Sequence, residues 1–240
     1  MDKLAGMIDD NTRAIFVNSP NNPSGWMIGD EQIKAILELS RLHNFWILAD
    51  EVYNRIIYSD KLSAPSFLEF SNDDDNLIVV NSFSKSYAMT GWRLGWMVHP
   101  EYLGIEIAKL IEFNFSCTPS FVQMAGMTAL QDGEDYIKES TENLKIVRDI
   151  LAEKLPRLKG VDAYSSPVAG FYAYFHVDFA AAQANILQFA RNLAENGKVG
   201  LAPGSSFGPM QEGWLRLCFA QSPDIIHEAL TRLDNYFNRL

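Results

Sequence analysis

The first part of the chain alternates short apolar runs with a helical pattern. Three runs rich in β-branched and aromatic residues each stop at polar residues, as strands do; these runs are Ala14–Val17, Phe45–Ala49 and Leu77–Val80. Residues 30–44 repeat apolar positions at helical spacing and predict a helix whose inner face carries Ile33, Ile36, Leu37 and Ser40. Residues 92–98 are a candidate fourth strand. Runs that are apolar on both faces are typical of a parallel sheet covered by helices.

The second part of the chain predicts a long helix followed by a smaller set of strands and helices. Apolar residues in 133–155 are spaced for a helix that ends before Pro156. The later segments are predicted as strands at Gly170–Val177, Val199–Leu201 and Trp214–Phe219, and as helices near 180–195 and 223–238. We therefore predict an α/β fold with two domains. The first, over 1–150, has a partial parallel-type sheet and includes the long connecting helix, and the second is a small α+β domain over 151–240.

Polar residues follow the predicted strands of the first part where each strand stops. Asn22 follows the first strand, Asp50 and Tyr53 follow the second, and Ser82–Lys85 follow the third. Ligands of open α/β sheets bind beyond the carboxyl ends of the strands. We therefore expect these clusters to face one crevice.

Composition and charge narrow the class of protein. Of the 240 residues, 48% are hydrophobic and 21% are charged, a balance that allows a buried core and argues against disorder. The 30 acidic and 20 basic residues give a net charge of −10, which would repel the phosphate backbone of a nucleic acid. One small phosphate held by one or two arginines is compatible with that charge. The acidic run Asp73–Asp75 is expected to be a solvated loop.

The cysteines and the lengths of the apolar segments indicate the cellular compartment of the protein. Cys117 and Cys218 are far apart and lack a C-x-x-C partner, so they predict neither a disulfide framework nor a zinc site. The four histidines are scattered as well, and no metal site is predicted. No run approaches the ~20 apolar residues that span a bilayer, and residues 1–10 lack the apolar core of a signal peptide. We expect a cytoplasmic protein without a membrane partner.

The segment Ser82–Gly95 carries residues that point to a cofactor. Lys85 stands between two serines directly after an apolar strand, where an isolated lysine is usually an exposed loop residue. Arg93, eight residues later, has apolar neighbours, so we expect it to be partly buried and to need an anionic partner. A phosphate held by Arg93 and serine hydroxyls, beside a lysine that can form a Schiff base, is what pyridoxal phosphate requires.

Asp50 and Tyr53 supply a second element of such a site. Alone, a carboxylate at a strand end is most often a cap, but beside this cofactor Asp50 would pair with the pyridine nitrogen and keep it protonated. Tyr53 lies three residues on and would donate to the phenolic oxygen of the cofactor. Asn22 would contact that oxygen or a substrate carboxylate, and its alternative role is to close the turn before Pro23.

Several spaced motifs carry a family resemblance. The first three are Asn21-Asn-Pro-Ser-Gly25, Ala49-Asp-Glu-Val-Tyr53 and the segment from Ser82-Phe-Ser-Lys to Gly-Trp-Arg-Leu-Gly95. Three more extend the match over essentially the whole chain and are Gly170–Tyr172, Ala202–Gly208 and Leu215–Phe219. In type and order these motifs resemble those of the class I/II aminotransferases, the fold-type I pyridoxal-phosphate enzymes. Several motifs in one order are far more specific than a lone glycine-rich match.

The resemblance implies a role for each candidate residue. The implied cofactor-binding residues are Asn22, Asp50, Tyr53, Ser82, Ser84, Lys85 and Arg93. Lys85 would form the Schiff base with pyridoxal 5′-phosphate and move the proton at the substrate Cα, while Asp50 and Tyr53 would assist the catalysis. Arg216 would bind the substrate α-carboxylate, together with Asn22; without the family match it would be interpreted as a surface arginine at a strand end. The Asn22–Pro23 bond is expected to be cis.

The resemblance also implies an activity and partners. The expected reaction is a ping-pong transfer of an amino group from an amino acid to a 2-keto acid, by a homodimer when the enzyme is full length. Asn22 stands only 21 residues after Met1, so we expect the amino-terminal half of the large domain to be absent, which leaves the activity of this chain alone open. Two alternatives stay open: a lyase of the same fold and a non-catalytic ligand-binding module. Aspartate, aromatic and alanine-type substrates all stay open.

Overall fold

A computed structural model of the chain describes residues 1–240 and contains eight strands and nine α-helices. The strands are β1 (Ala14–Asn18), β2 (Trp46–Asp50), β3 (Leu77–Ser82), β4 (Gly95–Val98), β5 (Val161–Ser165), β6 (Tyr172–Val177), β7 (Ala202–Pro203) and β8 (Trp214–Cys218). The helices are α1 (Asp2–Ala5), α2 (Asp30–His43), α3 (Phe83–Ser86), α4 (Gly104–Phe115), α5 (Ser120–Asp132), α6 (Glu134–Lys154), α7 (Ala180–Ala184), α8 (Ile186–Asn192) and α9 (Pro223–Phe237).

The chain divides into two compact units. Unit 1 comprises residues 1–20 and 27–138, and unit 2 comprises residues 21–26 and 139–240. Helix α6 runs through residue 150 without a break. The domain boundary that the sequence predicts between residues 150 and 151 stays a prediction. Each unit combines helices with a sheet, which confirms the predicted α/β fold class.

Unit 1 is built on a four-stranded sheet in the order β1-β2-β3-β4. The first three strands are parallel, as predicted. β4 runs antiparallel to β3, so the sheet is mixed. Because Gly95, the first residue of β4, lies opposite Ser82, the last residue of β3, the chain turns back at this end of the sheet.

Helix α2 supplies part of the core of unit 1. Its buried residues are the ones its helical spacing predicts, namely Ile33, Ile36, Leu37 and Ser40. The three apolar ones belong to the same buried cluster as Ile47 of β2. The second face of the sheet is covered only in part, because β2 and β3 alternate buried with half-buried positions. The expectation of cover on both faces is wrong for β1, where Phe16 is 66% exposed.

The acidic run at Asp73–Asp75 is only partly solvated. Asp75 is 8% exposed and accepts hydrogen bonds from Nε and Nη2 of Arg41, both at 2.7 Å. The Arg41 guanidinium holds the pKa of the Asp75 carboxyl below its usual value. The prediction of a solvated loop is therefore wrong for Asp75, because the arginine that pairs with it stands 34 residues away in the sequence.

Unit 2 contains a second four-stranded sheet, in the order β5-β6-β8-β7, with antiparallel pairing throughout. One face of its two central strands is buried through Ala173, Phe175, Val177, Leu215 and Leu217. The strand predicted at Val199–Leu201 is instead the two-residue β7, which begins at Ala202. The sequence pattern does not predict β5, because an irregularity between Val161 and Ala163 interrupts its alternation.

Helices α4 and α5 of unit 1 carry exposed apolar side chains. α4 buries none of its residues, although Ile105, Leu110 and Phe113 are all apolar and Phe113 is 89% exposed. α5 buries only Val122 and Gly126. Both helices thus present apolar surface to solvent. None of the helices combines the length and the apolar character needed to cross a membrane.

Candidate active site

Asp50 is the last residue of β2 and lies at the carboxyl end of the parallel strands of unit 1. Its Oδ1 accepts a 3.3 Å hydrogen bond from the backbone N–H of Val52. Burial raises the pKa of the Asp50 carboxyl above its usual value, and the Val52 N–H and the Lys85 charge oppose this change. A desolvated carboxylate of this kind favours a ligand that brings a positive charge.

Tyr53 and Lys85 are neighbours in unit 1. Tyr53, in the turn after β2, is 4% exposed, and the Nζ of Lys85 lies 5.8 Å from the centroid of its ring. Lys85 is half-buried in α3, which begins directly after β3, and its amine donates no hydrogen bond within the chain. Because the Lys85 charge also acts on the Asp50 carboxyl, the structure places Asp50, Tyr53 and Lys85 in one neighbourhood.

Ser82 and Ser84 lie at the start of the helix that carries Lys85. The Ser82 Oγ accepts a 3.0 Å hydrogen bond from the backbone N–H of Ser84 and donates to the carbonyl of Leu94 at 3.3 Å. Ser82 thus caps α3, while Ser84 is buried. The cap orients Lys85, which follows in the same turn.

Arg93 departs from its sequence prediction. Its side chain is exposed rather than partly buried, and its Nη1 donates to the carbonyl of Thr90 at 2.9 Å. The apolar sequence around it does not bury it, because β4, which follows, is exposed at all four positions. The Arg93 backbone has a φ of 56°, a left-handed conformation that non-glycine residues rarely adopt and that here ends the short 3-10 turn Thr90–Trp92.

The donor chemistry of these residues fits pyridoxal phosphate. Lys85 offers an amine without a hydrogen-bond partner, Asp50 offers a desolvated carboxylate, and Ser82 and Arg93 offer a hydroxyl and a guanidinium. The amine of Lys85 matches the aldehyde of that cofactor, and the carboxylate of Asp50 matches its ring nitrogen. The hydroxyl of Ser82 and the guanidinium of Arg93 match its phosphate.

In unit 2, the loop of residues 21–26 positions Asn22. The Asn22–Pro23 bond is cis, as expected, and the loop is attached to the segment after β5 by a 3.1 Å hydrogen bond from the N–H of Val168 to the carbonyl of Gly25. Gly25 has a φ of 69°, and a Cβ there would lie 2.2 Å from the Cβ of Pro167. Glycine therefore permits both this turn and its close approach to Pro167.

Arg216, on β8, meets Asn22 within unit 2. Its Nη1 donates a 2.8 Å hydrogen bond to the Oδ1 of Asn22. Its guanidinium carbon lies 4.3 Å from the ring centroid of Tyr172 and 4.8 Å from that of Phe207. The Nε of Arg216 is buried without a hydrogen-bond partner, and no carboxylate of the chain forms a salt bridge with it. The charge of Arg216 is thus available to an anionic ligand.

Tyr172 and Phe207 are the residues that the sequence reasoning missed. The sequence assigned a role to Arg216 and Asn22 but none to the two aromatic residues. The available signal was weak, because each stands as an aromatic residue in a motif with glycine, Gly170–Tyr172 and Ala202–Gly208. Their proximity to Arg216 becomes visible only once β6, β7 and β8 are paired.

Comparison with known proteins identifies the family. The family model for aminotransferase class I and II matches residues 1–233. The chain therefore belongs to the class I and II aminotransferases. An aspartate aminotransferase of Thermotoga maritima is 32% identical over 238 residues, which are 99% of this chain and 59% of that protein. An aspartate aminotransferase of Pyrococcus horikoshii is 34% identical over 234 residues, or 97% of this chain and 58% of that protein.

Solved structures agree with this assignment. The crystal structure of the Thermotoga maritima aspartate aminotransferase matches with a TM-score of 0.87 at 32% identity, covering 99% of this chain and 60% of that one. An aromatic aminotransferase from Pyrococcus horikoshii matches with a TM-score of 0.90 at 28% identity, covering 99% and 63%. The chain thus has the fold of these aminotransferases and spans about three fifths of their length.

Proposed function

We propose that this chain is part of a pyridoxal-phosphate-dependent aminotransferase that transfers an amino group from an amino acid to a 2-keto acid in a ping-pong cycle. The observation that carries the proposal is the position of the Lys85 amine, 5.8 Å from the Tyr53 ring and close enough to Asp50 to act on its carboxyl. Family membership supports the same reaction class. When bound, pyridoxal phosphate supplies an electron-accepting ring that takes up the negative charge left at the substrate Cα.

In this proposal Lys85 attaches the cofactor and then moves the proton at the substrate Cα. A lysine in its neutral form is a general base for that proton. No acceptor within the chain holds the Lys85 amine in a hydrogen bond, and the buried ring of Tyr53 lies beside it. The Lys85 amine is therefore available to react with a ligand, and the Tyr53 ring lies against one side of it.

The other residues of unit 1 are assigned to the ring and the phosphate. Asp50 pairs with the ring nitrogen, because a cationic N–H would offset the burial that raises the pKa of its carboxyl. Tyr53 donates to the phenolic oxygen of the cofactor. Ser82, Ser84 and Arg93 hold the phosphate, and the exposed Arg93 guanidinium keeps donors beyond the one used on a backbone carbonyl.

Arg216 and Asn22 are assigned to the substrate. A guanidinium recognises a carboxylate through two parallel hydrogen bonds, and no carboxylate of the chain forms a salt bridge with Arg216. The relatives include an aspartate and an aromatic aminotransferase. We therefore propose α-amino acids and 2-keto acids as the substrate class, without choosing a side chain.

Compartment and assembly belong to the same proposal. Cys117 and Cys218 are both free, which is typical of the reducing cytoplasm. The apolar side chains that α4 and α5 expose support a homodimer for the full-length enzyme, since large exposed apolar patches mark interfaces. The net charge of −10 disfavours a nucleic-acid partner.

The cofactor assignment is tested by trapping pyridoxal phosphate on the purified chain with borohydride and locating the modified lysine by peptide mass mapping. We expect modification at Lys85 and its loss in Lys85→Ala. Lys61→Ala is the matched control, because Lys61 is an exposed lysine of the same unit. Equal total modification of Lys85→Ala and of the unmutated chain would overturn the assignment.

The reaction class is tested on a full-length parent. A transferase releases keto acid from an amino acid beyond one equivalent of cofactor only when a 2-keto acid acceptor is added. Sustained release without an acceptor would identify the lyase alternative instead.

A further inference from the structure

Two aromatic rings and a side-chain amide contact the Arg216 guanidinium of unit 2. We infer that Tyr172 and Phe207 are positioning residues that hold this guanidinium for the substrate carboxylate without neutralising its charge. The inference rests on the proposed function, in which Arg216 binds the α-carboxylate.

The two rings reach Arg216 from different elements. Tyr172 begins β6 and pairs with Cys218, two residues beyond Arg216 on β8. Because alternate residues of a strand share one face, Tyr172 and Arg216 lie on the same face of the sheet. Phe207 ends the turn after β7, where its N–H donates to the carbonyl of Gly204 at 2.8 Å.

Phe207 is itself held by a supporting cluster. Its ring meets Tyr174 edge-on, at 6.1 Å between centroids and 85° between planes. Tyr174 stacks on Trp214 at 4.7 Å, and its hydroxyl donates to the Oε1 of Gln211 at 2.7 Å. Burial raises the pKa of Tyr174 to about 12, so this hydroxyl stays a donor at neutral pH. The position of the Phe207 ring is thereby restrained.

The partners of Arg216 leave its charge uncompensated. An aromatic face attracts a cation through its quadrupole and carries no net charge. The amide oxygen of Asn22, which accepts from Nη1, is neutral as well. The Nε is buried without an acceptor, which is a cost that ordinary side-chain packing would avoid. This arrangement orients the guanidinium while its full charge stays available to an anionic ligand.

Removal of either ring should therefore weaken carboxylate binding. Phe207→Leu and Tyr172→Leu keep an apolar side chain but remove the aromatic face, and the guanidinium gains freedom to reorient. We expect about tenfold weaker binding, equivalent to about 1.4 kcal/mol. The conservative changes Phe207→Tyr and Tyr172→Phe keep the aromatic face and should retain the affinity.

The test follows the Nε–H resonance of Arg216 by NMR in the isotope-labelled chain while pyruvate, the simplest 2-keto acid, is added. Arg216→Lys identifies the resonance by its absence. In the two leucine variants we expect faster exchange of this N–H with water and the weaker pyruvate affinity. Tyr236→Leu is the matched control, because it removes a ring that packs on Phe189 in the same unit and should leave both readouts unchanged.

The outcomes separate this inference from the proposed function. Unchanged pyruvate affinity in both leucine variants would overturn the positioning role, and so would a resonance in the unmutated chain that pyruvate does not shift. Trapping of pyridoxal phosphate on Lys85 is measured in the same samples. Failure of trapping counts against the proposed function, whereas normal trapping with unchanged pyruvate affinity counts against the positioning role alone.

Discussion

The side chains of Asn22 and Arg216 are joined by a 2.8 Å hydrogen bond from Nη1 to Oδ1, although 194 residues separate them in the sequence. The contact forms because the loop of residues 21–26 packs within unit 2, where the N–H of Val168 donates to the carbonyl of Gly25. A neutral amide orients the guanidinium and leaves it charged. A carboxylate at the same position would compete with an anionic ligand.

This contrast leads to a prediction for Asn22. We expect Asn22→Asp to weaken pyruvate binding by at least about tenfold, more than Asn22→Ala does, because the new carboxylate would pair with Arg216. Calorimetric titration at neutral pH measures the difference. Asn196→Asp, an equivalent change at an exposed position of the same unit, is the control. Equal losses in the two Asn22 variants would show that charge compensation is not the cause.

Asp50→Asn is expected to stabilise the cofactor-free chain and to weaken its binding of pyridoxal phosphate. Burial raises the pKa of Asp50 in the folded chain, so the folded state holds this proton more strongly than the unfolded state does. Stability is therefore lost as the pH rises from the unfolded pKa through the folded pKa. The cofactor-free variant should melt at a higher temperature than the unmutated chain at neutral pH, and at a similar one below about pH 3.

The same variant should bind pyridoxal phosphate at least about tenfold more weakly, because the ring nitrogen loses its anionic partner. Thermal melts at the two pH values measure the change in stability, and an absorbance titration with the cofactor measures the change in affinity. A lower melting temperature for Asp50→Asn than for the unmutated chain at neutral pH would contradict the predicted gain in stability.

Asp75→Asn is expected to destabilise unit 1. The Arg41 guanidinium lowers the pKa of Asp75, so the stabilisation is present above the unfolded pKa of about 3.9 and is lost as the pH falls through the folded value. We expect a loss of about 1–2 kcal/mol at neutral pH, since Asp75 is buried but Arg41 is partly exposed to screening. Urea unfolding over a pH series measures it.

Asp74→Asn serves as the matched control for this prediction. Asp74 is exposed and stands next to Asp75, so its substitution should change the free energy of unfolding by no more than about 0.5 kcal/mol. A loss in Asp75→Asn that persists in acid would mean that the ion pair is not its source.

The purified chain is expected to self-associate through its exposed apolar helices. Phe113 of α4 and Phe121 of α5 are 89% and 68% exposed, and burying such side chains is favourable. Light scattering should show association that rises with concentration and falls in Phe113→Lys and Phe121→Lys. Leu42→Lys, at another exposed apolar position of unit 1, should leave it unchanged. A chain that stays monomeric at high concentration would refute the prediction.

Local patterns in the sequence were sufficient for the four strands and helix α2 of unit 1, but they did not predict α1, α3, α4 or α5. The apolar spacing of α2 predicts its buried residues Ile33, Ile36, Leu37 and Ser40, because a helix repeats within a few residues and its inner face is set locally. The positions of Asp50 and Lys85 near the ends of their strands were equally predictable, since β2 and β3 end one or two residues beyond their apolar runs. The family motifs added the roles that local patterns cannot supply.

The contacts of these side chains are determined by the tertiary structure alone. Arg93 is exposed because β4 beside it is exposed, and Asp75 is paired because α2 brings Arg41 to it. Arg216 lies beside Tyr172 and Phe207 because of the strand order and register in unit 2. The sequence by itself determined the strands of unit 1, helix α2 and the places where Asp50 and Lys85 stand near the strand ends. Their partners depend on contacts between residues far apart in the chain, and no local period encodes those contacts.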